Sequence, residues 1–120
     1  MAKQAQVIAD GMCDACVLVF FENQREYPSK EWTDRQLRKV RGGLKALDGL
    51  VGERQFIIGN SLTLADIAAG CVLGYMTVRF KIFDWRAEFP RLAAYTDRLE
   101  ERPSFKDSAP YPQTIKDKIV

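Results

Sequence analysis

The stretch from Gly59 to Gly70, which reads GNSLTLADIAAG, constrains the fold more than any other part of this sequence. The Thr63 side chain can accept a hydrogen bond from the backbone N–H of Asp66, and the Asp66 carboxylate can accept one from the N–H of Thr63. This pair is a capping box with aspartate in the usual glutamate position, and it satisfies two donors that a helix start leaves without partners. The stretch therefore predicts a helix that begins directly after Thr63.

Apolar side chains surround this box. Leu62 precedes the cap and Ile67 lies in the first full turn, which is the spacing of a hydrophobic staple. The apolar residues of the helix fall on one face, which we expect to be buried: Leu64, Ile67, Ala68, Cys71, Val72 and Tyr75. Because backbone N–H groups occupy its carboxylate, Asp66 is expected to be a structural cap and not a catalytic acid.

The remaining helices follow from breaks in the apolar pattern. We expect a first helix from Ala2 to about Glu26, a second from the Ser29 cap to about Val51, and a fourth from Pro90 to about Arg102. The capped third helix should end near Arg79 or Phe80. A single turn is expected at residues 104–108, a loop at 81–88, and an extended tail from residue 109 onwards. The predicted fold is an all-α bundle of four long helices plus a short C-terminal turn.

Two local features leave alternatives open. The apolar run from Ala15 to Phe21 could be a buried strand, but the breaker-free segment is far longer than a typical strand. We therefore predict a helix whose second half is covered on most sides. Gly42 and Gly43 adjoin within the second helix, where they mark either close packing or a slight bend.

Composition excludes several classes of function. The chain has 120 residues, enough for one domain, and its net charge of +2 gives no support for nucleic-acid binding. No apolar run approaches the length of a membrane span, and the N-terminus lacks the apolar core of a signal peptide. Three cysteines without such a signal indicate free thiols in a reducing, cytoplasmic compartment.

Histidine is absent from the whole chain. Its absence removes the commonest general base and most zinc sites. Cys13 and Cys16 form a C-x-x-C pair, but they lie within a helix with no strand before it, and only Cys71 could join them as a ligand. We expect small core-filling residues here, in preference to a redox or metal site.

The order of these segments resembles the C-terminal domain of glutathione S-transferases. The resemblance rests on residues 56–67, FIIGNSLTLADI, on the FPRL of residues 89–92, and on the ERPSF of residues 101–105. Residues 9–15, the pair Gly74-Tyr75, and Arg79 are similar to a bacterial branch of that family. The likeness covers essentially the whole chain.

This resemblance implies a function for a larger protein. Such transferases join the thiolate of glutathione to an electrophilic carbon, and their thioredoxin-like N-terminal domain activates the thiol. That domain is absent here, so we expect the chain to be the C-terminal part of a longer, homodimeric enzyme. By itself the chain is expected to be inactive, with no cofactor, metal or catalytic residue. The alternative is a non-catalytic binding or scaffold module.

The resemblance also implies roles for particular residues. An acidic residue on the first helix contacts the amino group of the partner's glutathione, and Asp14 is the first choice for this role with Asp10 second. The plain alternative is that both acids lie on a solvated face. The pocket for the apolar co-substrate is expected at Phe20, Phe21 and Gln24, with Tyr75 and Arg79 as weaker candidates; the alternative for Arg79 is an ion pair with an acid such as Asp84. The alternative is that the aromatic residues belong to the core.

Overall fold

The computed structural model describes residues 2–111, and every regular element within them is an α-helix. The helices are α1 (Ala2–Glu22), α2 (Lys30–Val51), α3 (Leu64–Arg79), α4 (Trp85–Glu88), α5 (Pro90–Glu100) and α6 (Pro103–Asp107). The predicted all-α class and its four long helices are confirmed. Because residues 2–111 contain no strand, they contain no thioredoxin-like domain.

The core lies between α1, α2, α3 and α5. α1 packs along both α2 and α3, and α5 closes the other side of these two helices. On α2 the apolar residues at steps of three and four face the core: Leu37 is half-buried, and Val40, Leu44, Leu47 and Val51 are buried. On α5 the buried residues include Leu92, Tyr95 and Leu99.

The carboxylate of Asp66 is fully buried and joins three separate segments. In the capping box the N–H of Thr63 donates to Asp66 Oδ2 at 3.1 Å. The N–H of Ile57 donates to Oδ1 at 3.0 Å, and the hydroxyl of Tyr95 donates to the same oxygen at 2.6 Å. Burial, and then the hydrogen bond to Asp66, raise the pKa of Tyr95. A buried carboxylate needs such donors because it has lost its water.

The buried face of α3 differs from the predicted one. Leu64 and Ile67 are 53% and 44% exposed, Cys71 is exposed as well, and Ala68 and Tyr75 are half-buried. The residues that face the core are mostly smaller: Ala65, Asp66, Ala69, Val72, Leu73 and Met76. Because α3 is apolar on nearly all sides, periodicity alone does not determine which of its faces is buried. The contacts of α3 with α1 and α5 determine it. Leu62 packs against the core, and its staple with Ile67 stays a prediction.

α1 is shorter than predicted, and two large apolar residues in its second half are exposed. It ends at Glu22 and not near Glu26, because the Glu22 carboxylate accepts the N–H of Ser29 at 2.8 Å and turns the chain towards α2. The same carboxylate pairs with Arg25. In its second half, Leu18 and Phe21 remain 45% and 39% exposed, whereas the other residues of the run 15–21 are buried or half-buried.

The connection after α3 is not all loop. Residues 85–88 form the short helix α4, in which Asp84 accepts the N–H of Ala87 and Trp85 is buried. The predicted turn at 104–108 is the helix α6, shifted one residue towards the N-terminus. Residues 109–111 form no helix, and the rest of the predicted extended tail lies outside the described residues.

α1 has the length and hydropathy of a helix that could cross a membrane. Lys3, Asp10 and Asp14 interrupt its apolar surface. Its inward side packs against α2 and α3, and a core helix of a soluble protein meets the same length and hydropathy criteria. The expectation of no membrane contact therefore stays a prediction.

The adjacent glycines of α2 have opposite surroundings. A methyl group at Gly43 would lie 2.1 Å from Cγ of Met12 on α1, whereas one at Gly42 would meet open space. We expect Gly43→Ala to lower the free energy of unfolding by about 1–3 kcal/mol through overpacking. Gly42→Ala should raise it by up to about 1 kcal/mol, because alanine is the better helix former. Urea unfolding followed by circular dichroism measures both, and effects of equal sign would contradict this packing.

Removal of the buried carboxylate should weaken three segments at once. Asp66→Ala leaves the N–H of Ile57 and the hydroxyl of Tyr95 without an acceptor, so we expect a loss of about 2–4 kcal/mol in unfolding free energy. Tyr95→Phe removes one donor and should cost about 1–2 kcal/mol. Asp107→Ala, at an exposed aspartate, is the control and should stay within about 0.5 kcal/mol of the native chain. Similar losses for the variants of Asp66 and Asp107 would refute the role of the buried carboxylate.

Candidate functional site

A pocket of about 240 Å³ opens where the C-terminal ends of α1 and α3 meet, and we call it the Phe20 pocket. Its apolar walls come from α1 and from the chain around the end of α3: Cys16, Val19, Phe20, Phe80 and Ile82. Its polar lining consists of Asn23, Gln24, Tyr75, Arg79 and Lys81. A small apolar cavity with a few convergent polar groups is the usual form of a ligand site.

Two basic residues line the Phe20 pocket. The guanidinium carbon of Arg79 lies 4.4 Å from the centre of the Phe20 ring, which is a cation–π contact. The Lys81 ammonium donates to the backbone carbonyl of Thr77 at 2.8 Å, and Thr77 lies outside the lining of this pocket. Burial raises the pKa of Tyr75, so at neutral pH its hydroxyl keeps its proton and can donate a hydrogen bond.

The structure brings together most of the residues predicted for the co-substrate pocket. Phe20, Gln24 and Tyr75 all line the Phe20 pocket, as does Arg79. Phe21 does not, because its position on α1 is turned by about 100° from that of Phe20. Its ring is partly exposed and stands edge-on to the ring of Phe20, with 5.4 Å between the ring centres.

The predicted acids of α1 lie apart from this pocket. Asp10 and Asp14 are both exposed, one turn apart on the outer side of α1. Their charges reach Cys13, whose pKa is raised by burial first and then by Asp14 and Asp10. The structure thus places both carboxylates on an open surface near Cys13, and their proposed contact with glutathione stays a prediction.

A second and larger cavity lies on the other side of Tyr75. This cleft, which we call the Cys71 cleft, has a volume of about 610 Å³. It runs between α3 and the segment around α6, and its lining includes Cys13, Cys71, Tyr75, Glu100, Phe105 and Lys106. Tyr75 lines both cavities. At the base of the cleft, a methyl group at Gly70 would lie 2.5 Å from the ring of Phe105, so this glycine permits the close approach of α6.

Cys13 and Cys16 have the properties of packing residues and not of a redox centre. Burial, and then the neighbouring Cys13, raise the pKa of Cys16 to about 12. A reactive cysteine needs the opposite shift, since the thiolate is the nucleophile. Within residues 2–111 no group of three or more histidine, cysteine or carboxylate side chains is placed to hold a metal ion.

Sequence reasoning missed the residues that come from distant parts of the chain. Phe80, Lys81 and Ile82 line the Phe20 pocket, although they lie at the end of α3 and in a stretch predicted only as a connection. Phe105 and the residues after it line the Cys71 cleft. No local spacing predicts these contacts, because they depend on how α3 lies against α1 and α6.

Comparison with known proteins gives the same fold and one family. The family model for the glutathione S-transferase C-terminal domain matches residues 30–98. A solved glutathione S-transferase from Methylobacterium radiotolerans, in complex with glutathione sulfonate, has a TM-score of 0.93 and 53% sequence identity; the match covers 99% of this chain and 57% of that one. A glutathione S-transferase from Methylobacillus flagellatus with glutathione bound has a TM-score of 0.85 and 36% identity, over 91% of this chain and 55% of that one.

Relatives by sequence include a GST-like protein and an elongation factor. The uncharacterized GST-like protein YibF of Escherichia coli is 27% identical over 110 residues, which is 90% of this chain and 54% of YibF. Elongation factor 1-gamma 3 of rice is 33% identical over 70 residues, which is 58% of this chain and 17% of that protein. The chain thus spans about half the length of YibF and of the two solved transferases, and less of the elongation factor.

The three thiols should differ in reactivity. With a pKa of about 12 and little exposure, Cys16 should react with iodoacetamide at pH 7 at least about tenfold more slowly than the exposed Cys71. Mass spectrometry of timed samples identifies each modified cysteine. Cys71→Ser should abolish the fast phase, while the control Cys16→Ser should retain it. Labelling of Cys16 as fast as that of Cys71 would contradict the buried, protonated thiol.

Proposed function

Because the chain belongs to the glutathione S-transferase C-terminal domain family, we propose that it supplies the helical part of a glutathione transferase. In this reaction the sulfur of glutathione attacks an electrophilic carbon of the co-substrate and displaces a leaving group or adds to a double bond. The observation that carries the proposal is the Phe20 pocket. It brings Phe20, Gln24 and Tyr75 into one apolar cavity, in a chain whose structural relatives hold glutathione or its sulfonate.

In the proposed enzyme this chain binds the co-substrate and does not activate the thiol. Burial raises the pKa of Cys13, Cys16 and Tyr75, so these groups are protonated at neutral pH and are poor bases. The chain also has no histidine. Activation of glutathione is therefore assigned to a thioredoxin-like N-terminal domain, and residues 1–120 form a single helical domain that is inactive without it.

The outer face of α3 has the exposed apolar residues expected of a surface that binds the N-terminal domain. Leu64 and Ile67 are large apolar residues that are 53% and 44% exposed, and they continue along α3 to the exposed Cys71. Exposed apolar patches on soluble proteins commonly mark interaction sites. We assign this stripe, together with the Cys71 cleft, to the contact with the N-terminal domain.

The acids of α1 fit the proposed contact with glutathione across a homodimer. Asp14 and Asp10 are exposed, and the structure shows neither in an ion pair with a residue of the described chain. A carboxylate that binds the ammonium group of glutathione orients the peptide as well as holding it. Asp14 remains the first choice and Asp10 the second, in a cytoplasmic enzyme that uses glutathione as co-substrate and no metal.

A scaffold role is the second candidate. It is favoured by the likeness to elongation factor 1-gamma 3 of rice, which is named for translation and not for conjugation. In a scaffold the Phe20 pocket would have no co-substrate. Loss of its residues would then leave the assembly unchanged.

A chimera tests the proposed function. In the Methylobacterium transferase, the part that matches this chain is replaced by residues 1–120, since 53% identity and a TM-score of 0.93 favour correct docking. We expect the chimera to conjugate glutathione to an aromatic electrophile and residues 1–120 alone to show no rate. Phe20→Ala in the chimera should raise KM for the electrophile about tenfold by removing a pocket wall.

The matched control for this experiment is Phe56→Ala, which alters a half-buried phenylalanine outside the pocket lining. Its KM should stay within about twofold of that of the unaltered chimera. A folded chimera without activity would contradict the enzyme proposal and favour the scaffold. An unchanged KM in the Phe20 variant would contradict the assignment of the pocket.

A further inference from the structure

We propose that the side chain of Lys81 determines the size of the co-substrate, because it separates the Phe20 pocket from a neighbouring cavity and restricts the ligand to one aromatic ring. The inference rests on the proposed function in taking the Phe20 pocket as the co-substrate site. It adds a residue that determines specificity and the class of ligand that this residue admits.

A second cavity, of about 250 Å³, lies beside α4, and we call it the α4 cavity. Apolar side chains form most of its wall: Met76, Phe80, Phe83 and Trp85. Its polar lining consists of Thr77, Lys81, Asp84 and Arg86. Phe80 and Lys81 also line the Phe20 pocket. The two cavities are therefore neighbours, and these two residues form their common boundary.

The two residues of this boundary differ in burial. Phe80 is only 6% exposed and belongs to the core, and its ring stands edge-on to that of Phe83 with 4.9 Å between the ring centres. Close packing holds such a ring in place. Lys81 is exposed. Lys81 is therefore the part of the boundary that can be removed without a change in the core.

A hydrogen bond holds the Lys81 side chain across the boundary. Its ammonium group donates to the backbone carbonyl of Thr77 at 2.8 Å, and Thr77 lines the α4 cavity but not the Phe20 pocket. Carbonyls in the last turn of a helix lack intrahelical partners, so a lysine directly after the helix is a suitable donor. The aliphatic part of Lys81 thus lies along the end of α3, between the two cavities.

Each cavity by itself has room for one substituted ring. A cavity of about 150 Å³ lined by apolar side chains is enough to hold benzene. The Phe20 pocket has about 240 Å³ and the α4 cavity about 250 Å³. A ligand with two linked rings needs both cavities, and the Lys81 side chain lies where the two rings would join. The boundary thus favours a co-substrate with one ring.

The charged groups of the α4 cavity already have partners within the protein. Asp84 accepts the N–H of Ala87 at 3.2 Å, and Arg86 pairs with Asp97. The Lys81 ammonium has the carbonyl described above. A charged ligand would compete with these interactions, whereas a neutral aromatic ring can pack against the apolar wall. Once Lys81 is shortened, the two cavities together should therefore accept a neutral ligand with two rings.

Equilibrium dialysis of the full chain against two probes tests this inference. The probes are benzyl alcohol, which has one ring, and 4-biphenylmethanol, which has a second ring in line with the first; both are uncharged. In Lys81→Ala we expect the affinity for 4-biphenylmethanol to rise at least about fivefold, because the second ring is then buried. The affinity for benzyl alcohol should stay within about twofold of that of the native chain.

Three results would overturn the role of Lys81. The first is an unchanged affinity of Lys81→Ala for 4-biphenylmethanol, and the second is an equal rise for both probes. The third is no detectable binding of 4-biphenylmethanol to the folded variant. The control Lys45→Ala removes an exposed lysine of α2 that lines none of the three cavities, and it should leave both affinities within about twofold.

A second substitution locates the added ring. Phe83 lines the α4 cavity and not the Phe20 pocket, so Phe83→Ala in the Lys81→Ala background should abolish the gain for 4-biphenylmethanol. Phe56→Ala in the same background alters a half-buried phenylalanine outside both cavities and should retain the gain. Circular dichroism checks that each variant folds. A gain that survives in the folded Phe83 variant would contradict occupation of the α4 cavity.

These measurements need neither glutathione nor catalysis. A chimera that conjugates electrophiles with one ring, together with no gain in Lys81→Ala, would refute the role of Lys81 and retain the proposed function. A chimera that folds but does not conjugate, together with the expected gain, would refute the transferase and retain a divided ligand site. The two failures are therefore distinguishable.

Discussion

The buried carboxylate of Asp66 is the interaction on which the rest of this structure depends. It lies at the start of α3 and accepts hydrogen bonds from the loop at Ile57, from Thr63 and from Tyr95 on α5. A fully buried charge is tolerated only when such donors surround it, so these three segments must assemble together. Their assembly fixes both the position at which α3 begins and its rotation about its own axis.

The rotation of α3 in turn decides where the cavities lie. Once Asp66 and Ala69 face the core, Cys71 and Tyr75 face outwards and sideways. Tyr75 then stands between the Phe20 pocket and the Cys71 cleft, and Arg79, one turn further on, stacks over Phe20. The capping interaction at Asp66 thus helps to set the positions of Tyr75 and Arg79 in the candidate site. It does so through the rotation of α3, and Asp66 itself does not line the pocket.

Part of the candidate site could be predicted from the sequence because two of its residues share one face of a helix. Tyr75 and Arg79 are one turn apart on α3, so they reach the same cavity. Gln24 lines the pocket too, although it lies in the turn after α1 and not on that helix. Phe21 was expected beside Phe20 in the pocket and is not, since a step of one residue turns to another face of α1. The lining residue Lys81 was not predicted, because nothing in its local pattern distinguishes it from a solvated loop residue.

The sequence by itself determined the class of the fold and the limits of its chemistry. The capping box at Thr63 and Asp66 and the apolar spacing of α2 are local properties that depend on residues close together in the chain. The lack of histidine is a property of the composition alone. The tertiary structure alone decided which side of α3 is buried, that Tyr95 completes the site of Asp66, and that Phe80 and Ile82 join the wall of the Phe20 pocket. These outcomes depend on contacts between residues far apart in sequence, whose energies appear only when the helices pack.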